Sequence, residues 1–440
     1  MALDSHAELS AFLTIPSVSA DPAHRDDVLA AGTWVRDFIA RAGGQAEVID
    51  WHGQPLVTGE IRASREPESA PTILCYGHFD VQPPDPLELW ESEPFTLTER
   101  DGYLYARGIA DDKGQLYLLL AAARELAGAG TLPVNVRFAC DGEEETGGHS
   151  IVEWVAADRG SADAAIIFDS GMIREGLPAF NVAMRGLIYF HLTLRTGRTD
   201  LHSGMYGGAA MNAAAAMVQT LGALLARDGR IAPELRQGIA EPTHDELMGW
   251  AELPHGSEEL ALQGATPADP RAAEEFYLRT FAEPTFEING ILSGSPTLEK
   301  TVLPVEAVAN VSLRLAPGQD PAVISTAFER LLSAAVPEGA ELTLEAWSSA
   351  PAGIVPPTAR AIQLGLDAFE AALGVRPALI RSGGSLPVVA ALSARGVPTI
   401  ISGFSLPDAN IHAPNERLRS DYVPQGIAAA RALFEHLAAL

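Results

Sequence analysis

The chain is predicted to be an α/β protein: a mostly parallel sheet domain covered by helices and interrupted by an inserted ferredoxin-like α+β domain. Three observations predict this. Short β-rich apolar runs alternate with helical stretches along the first part and return at the end, as in a parallel sheet with helices on both faces. The middle of the chain instead runs strand, helix, strand, strand, helix, strand, the order of a ferredoxin-like unit. At 440 residues the chain also exceeds the size at which a single core stops growing.

The elements follow in order. RDDVLAAGTWVRDFIARAGG, from about residue 25, has helical apolar spacing and stops at a glycine pair. The runs Thr72–Tyr76, Val134–Ala139, Ala164–Phe168 and Pro398–Ile401 are short and apolar, as buried strands are. Helical stretches Gln115–Leu126 and Ile151–Asp158 lie between them. In the middle come a strand near Gly186–Thr196, a helix over Asn212–Ala226 and a loose acidic stretch over 229–285 that reads as a helical elaboration. A strand near Phe286–Leu292, an alternating strand near Ala307–Leu315, a helix over Pro321–Ala335 and a strand near Leu342–Trp347 follow. The expected domains are therefore 1–186 plus 353–440, closed by PTIISG and the helix IAAARALFEHLAAL, and 187–352.

Composition narrows the partners. The 57 acidic against 30 basic residues give a formal charge of −27 with no Lys/Arg cluster, which disfavours nucleic acid. Such acidity also serves solubility alone. Cys75 and Cys140 sit in the apolar runs ILCYG and VRFAC, where a free thiol acts as a small hydrophobe, so no disulfide framework is expected. The start MALDSHAELSAFL carries Asp4 and Glu8 where a secretory signal has basic residues. No apolar stretch reaches the roughly 20 residues of a membrane span. A cytoplasmic location without a membrane partner is the expectation.

Five polar clusters follow apolar runs, where open α/β sheets bind ligands. In Gly77-His78-Phe79-Asp80, His78 could bind a metal while Asp80 supports it or faces solvent. Arg107-Gly108-Ile109-Ala110-Asp111-Asp112-Lys113-Gly114 leads into a helix that its carboxylates could simply cap. Asp141-Gly142-Glu143-Glu144-Glu145-Thr146 crowds like charges, which raises their pKa values and becomes tolerable around a cation, although a solvated loop would look the same. Asp169 follows AAIIF, and His412 lies in Asn410-Ile411-His412-Ala413-Pro414-Asn415-Glu416. Together, two histidines and several carboxylates at successive strand ends match the nitrogen and oxygen ligand set of zinc.

The motifs GHFDVQP, GIADDKG, DGEEETGG, DLHSGMYGG, EKTVLP, RSGGSLP and IHAPNE, spread in order over residues 78–416, resemble those of carnosinase-like cytosolic non-specific dipeptidases. These belong with the aminoacylases and carboxypeptidase-G-type enzymes. The resemblance implies a catalytic domain of zinc-exopeptidase type with a lid and dimerisation domain inserted in it. It implies two divalent ions per subunit, zinc or manganese, bridged by Asp111, with His78 and Asp169 on one and Glu145 and His412 on the other. Glu144 is the implied base, Asp80 a catalytic support, and the peptide after Asp111 is implied to be cis. His202 would reach the neighbouring subunit's site in a homodimer and steady the oxyanion. Thr301, Arg314, Gly383, Gly384 and Ser385 would hold the substrate.

The activity so implied is hydrolysis of a dipeptide amide bond by a metal-activated water. An Asp at position 169 goes with dipeptidases and aminopeptidases in the wider family, a Glu with carboxypeptidases and deacylases. Two other readings compete: an N-acyl-amino-acid deacylase using the same site, and a binding protein without catalysis, which would have no use for a base at Glu144.

Overall fold

A computed structural model describes residues 5–384 and 386–440. The chain divides into two compact units: one runs to Val182 and resumes over Val355–Ile380 and Pro387–Leu440, while the other holds Ala183–Ile354 with Arg381–Leu386. The sequence places 381–386 in the first domain. In the structure this segment clusters with the second, where Arg381 pairs with Glu246 at 2.7 Å.

The first unit is built on a six-stranded sheet in the spatial order 45–51, 54–61, 135–141, 72–78, 164–168, 399–402. The last four strands are parallel to one another. The strands Gln45–Trp51 and Gln54–Ile61 form an antiparallel hairpin on one edge, so the sheet is mixed. Sequence reasoning missed this hairpin for a physical reason. Pro55 and Gly59 break the strand pattern, and the turn is His52-Gly53, both at positive φ, in place of the usual Asn-Gly pair. The strand Thr72–His78 is buried throughout, as a strand covered on both faces must be. Helices Arg25–Arg41, Lys113–Gly128, Arg360–Leu373 and Tyr422–Leu437 surround the sheet, and the last packs against the two before it. Phe168, Phe180, Phe369 and Phe404 meet edge-on or stacked at ring separations of 4.9–6.1 Å. Cys75 and Cys140 are free and buried.

The second unit carries a four-stranded antiparallel sheet ordered 285–292, 306–315, 186–195, 341–350. Helices Ala213–Gly222 and Pro321–Ala335 pack on it. In Gly186–Arg195 alternate residues are buried, and Ile188, Phe190, Leu192 and Leu194 join the core with Phe328, which stacks on Phe190 at 4.9 Å. The helix Pro321–Ala335 starts where Asp320 accepts from the Ala322 and Val323 N–H groups with proline at its first turn. The acidic stretch folds into short helices His244–Ala251 and Gly256–Leu262 and a π-helical turn Leu278–Ala282. Ion pairs of Arg236 with Glu283, Arg230 with Glu275 and Arg279 with Glu275 tie it down.

Candidate metal centre

Parallel strands bring their carboxyl ends to one edge of a sheet. His78 ends its strand and stands in register with Asp141, which ends the neighbouring one and leads into Glu143–Glu145. Asp169 follows Phe168 on the next strand, and the chain beyond Thr399–Ser402 leads to His412. Residues hundreds of positions apart therefore meet by topology alone.

Asp111 lies at the centre. Its Oδ1 is 2.9 Å from His78 Nε2, and its Oδ2 is 2.9 Å from His412 Nε2. His412 Nε2 also lies 3.2 Å from Glu145 Oε2. Two groups of donor atoms each fall within 4.8 Å of one another: His78, Asp111 and Asp169, then Asp111, Glu145 and His412. Asp111 is common to both. The Asp111–Asp112 peptide is cis.

Asp80, which the sequence left either supporting or solvent-facing, is fully buried. It accepts from the Glu144 and Glu145 N–H groups and lies 3.2 Å from His78 Nδ1. Asp112 does not cap the helix it precedes. Its Oδ2 accepts from the His78 N–H at 3.1 Å, and a Cβ at Gly77 would come within 2.7 Å of that oxygen, so the site requires glycine there. His412 sits at a φ of +60, a region rarely used by side-chain-bearing residues, and so presents its ring to Asp111 and Glu145. Asn415 anchors that loop by accepting from the Glu91 N–H and donating to the Leu89 carbonyl.

The electrostatics follow from crowding. Burial, then Glu145, Asp80 and Asp111, push Glu144 up to about 7, against the opposing pull of His78. Hydrogen bonds to Asp111 and then Glu145 raise His412 to about 10. Burial, followed by the nearby carboxylates Asp112 and Asp111, raises Asp169 well above the usual range, with His78 opposing.

The donor set fits a pair of divalent cations. Five carboxylates, Asp80, Asp111, Glu144, Glu145 and Asp169, gather around two histidines, an excess of negative charge that buried groups carry only with compensation. Glu145 Oε1 is buried and has no hydrogen-bond partner among the described residues. Nitrogen and oxygen donors around a shared carboxylate are ligand chemistry suited to divalent metal ions.

One supporting residue escaped sequence reasoning although it stands in the IHAPNE motif. Glu416 is fully buried, with Oε1 accepting from the Ala110 and Asp111 N–H groups and Oε2 accepting from the Gly108 N–H and Arg107 Nη1. It fixes the backbone that presents Asp111. Gln82, also unassigned, donates to Glu145 Oε2 at 2.8 Å.

In the second unit, His202 pairs with Val302 in a short ladder, and the Thr301 carbonyl accepts from Ser203 N–H at 2.9 Å, which brings those two predicted residues together. His202 Nδ1 accepts from the Gly204 N–H, so a neutral ring carries its proton on Nε2. Arg314 stands on the strand Glu306–Leu315 between Leu187 and Thr285. Gly383 and Gly384 follow Ser382, whose Oγ accepts from the Gly384 N–H. Ser385 lies outside the described residues.

Residues 74–436 match the family described as Peptidase family M20/M25/M40. The chain belongs to this family and is a hydrolase. It is similar to "Cys-Gly metallodipeptidase dug1" of Schizosaccharomyces pombe, 29% identical over 95% of this chain and 92% of that protein. It is likewise similar to "Beta-Ala-His dipeptidase" of Mus musculus, 28% identical over 96% and 90%. Among solved structures, an M20 family metallo-carboxypeptidase of Sulfolobus solfataricus covers 100% of both chains with a TM-score of 0.89 at 24% identity. Human carnosine dipeptidase 1 covers 99% of this chain and 97% of its own with a TM-score of 0.82 at 24% identity. These structures establish the fold.

Proposed function

We propose that the chain is a dipeptidase using two divalent metal ions, zinc or manganese, held by His78, Asp111 and Asp169 and by Asp111, Glu145 and His412. The observation that carries this reading is the Asp111 carboxylate, whose two oxygens face two different histidines at 2.9 Å each. The dipeptidase names of the curated relatives support the substrate class over the deacylase alternative.

Bound there, the cations would supply Lewis-acid chemistry, polarising the scissile carbonyl and acidifying the attacking water. Glu144, mostly buried beside Glu145 and held by Asp80 through its backbone N–H, would take the proton from the attacking water and return it to the leaving amine. Asp80 holds Glu144 and Glu145 by their backbone N–H groups while orienting His78. His202, with a proton on Nε2, suits donation to an oxyanion, and under this reading it serves the partner chain of a homodimer. Arg314, Thr301 and the Gly383–Gly384 backbone would take the substrate's carboxylate.

The proposed enzyme acts on small substrates in the cytoplasm. No helix among the described residues is long and apolar enough to cross a membrane. Hydrolysis of alanine- or glycine-containing dipeptides, measured beside N-acetyl and N-succinyl amino acids with zinc and manganese supplied separately, tests the reading. Dipeptide cleavage is expected. Exclusive deacylation would overturn it, and a strictly monomeric active enzyme would remove the role given to His202.

A further inference from the structure

Arg185 immediately precedes the strand Gly186–Arg195, and its guanidinium is mostly buried within the second unit. Nε donates to the Gly383 carbonyl at 3.1 Å. Nη1 lies 3.4 Å from the Arg279 carbonyl and 3.5 Å from that of Glu283. The Arg185 N–H donates to the Ser382 carbonyl at 3.2 Å, so the same residue holds the 382–383 backbone twice. A single planar fork thus joins the glycine loop to the turn Leu278–Ala282 and the residue that follows it, a geometry that lysine's single ammonium cannot reproduce.

The neighbourhood links this fork to Arg314. Arg314 pairs with Leu187 across the ladder, and Arg185 is two residues before Leu187 on the same face of the chain. Burial, then the Arg314 cation, lower Arg185 to about 10, with Glu287 pulling the other way. Gly383 is packed from two sides: a Cβ there would lie 3.0 Å from the Thr280 carbonyl oxygen and 3.2 Å from Arg185 Nη2.

We propose that Arg185 is a positioning residue for substrate selectivity: by clamping the Gly383 carbonyl it aims the Gly383–Gly384 backbone so that loop and Arg314 together receive the substrate's terminal carboxylate. This rests on the dipeptidase reading above, in which those groups bind that carboxylate. Arg185 touches no reacting atom in this scheme; it acts through the loop.

The test compares one dipeptide with its C-terminal amide, using the metal-loaded enzyme. Wild type is expected to show a KM at least about tenfold higher for the amide, the cost of one charge-assisted contact. If wild type treats both substrates alike, the carboxylate reading itself falls and this proposal with it. Given that preference, Arg185→Lys is expected to raise KM for the free dipeptide by about tenfold while kcat moves less than about threefold and the amide KM stays within about twofold. Equal KM rises for both substrates, or an unchanged KM for the free dipeptide, would overturn the role of Arg185 while leaving the dipeptidase reading intact. Gly383→Ala displaces the same loop from its other side and is expected to give the same carboxylate-selective KM rise; an unchanged KM there would also overturn the proposal.

Discussion

Asp80 holds Glu144 by its backbone, the carboxylate Oδ1 accepting the Glu144 N–H at 3.2 Å from a fully buried position. The same oxygen lies 3.2 Å from His78 Nδ1, so one side chain orients both the proposed base and a proposed ligand. Asp80→Ala should lower kcat/KM or metal affinity by about 10–100-fold, the usual effect of losing a group that orients a ligand. Steady-state kinetics with parallel metal analysis measures this, and wild-type values for both would remove Asp80 from that role.

Glu144 belongs to neither of the two donor groups. Its removal should therefore separate chemistry from binding. Glu144→Ala is expected to retain wild-type metal content and to lose about 100- to 10,000-fold in kcat, the range of general acid–base catalysis. Near-normal turnover would assign the proton transfer elsewhere.

Arg107 and Glu416 form a buried pair at 2.7 Å, with side chains 1% and 0% exposed. Glu416→Ala leaves the guanidinium uncompensated and frees three N–H groups around Asp111. A loss of about 3–5 kcal/mol is expected from breaking such a pair on one side. Chemical denaturation reads it directly. A loss under about 1 kcal/mol would show that the loop finds other partners.

Asp158 accepts from Arg137 at 2.9 and 3.1 Å, from Arg395 at 3.1 Å and from the Gly160 N–H at 3.0 Å. Burial alone would raise its pKa, but these partners hold it below the usual carboxylate value. A folded pKa below the unfolded one, about 3.9, means a contribution fully present above that value and lost as pH falls through the folded pKa. Asp158→Asn should lower Tm at pH 7, and the gap to wild type should close as pH falls below about 4. A gap constant with pH would contradict this.

Much of this was legible in the residues. The strand Ala164–Phe168 was placed to the residue because a continuous apolar run bounded by Asp163 and Asp169 leaves little choice of register. The strand Glu306–Leu315 was readable because Val308–Leu315 alternates apolar and polar residues cleanly. The hairpin Gln45–Ile61 was not, since Pro55 and a left-handed His52 hide it. Glu416 was invisible as a support because a lone glutamate after Asn415 reads as solvated until tertiary contacts bury it. The assignment of Arg381–Leu386 to the second unit also depends on long-range partners, among them Glu246, 135 residues away.

Metal stoichiometry tests the central claim most directly. Elemental analysis of purified, metal-loaded protein should find two divalent ions per chain in wild type, and Asp111→Ala, which removes the carboxylate shared by both donor groups, should lose both together with dipeptide hydrolysis. A wild-type chain that hydrolyses dipeptides with no bound metal, or an Asp111→Ala variant that keeps two ions, would contradict it.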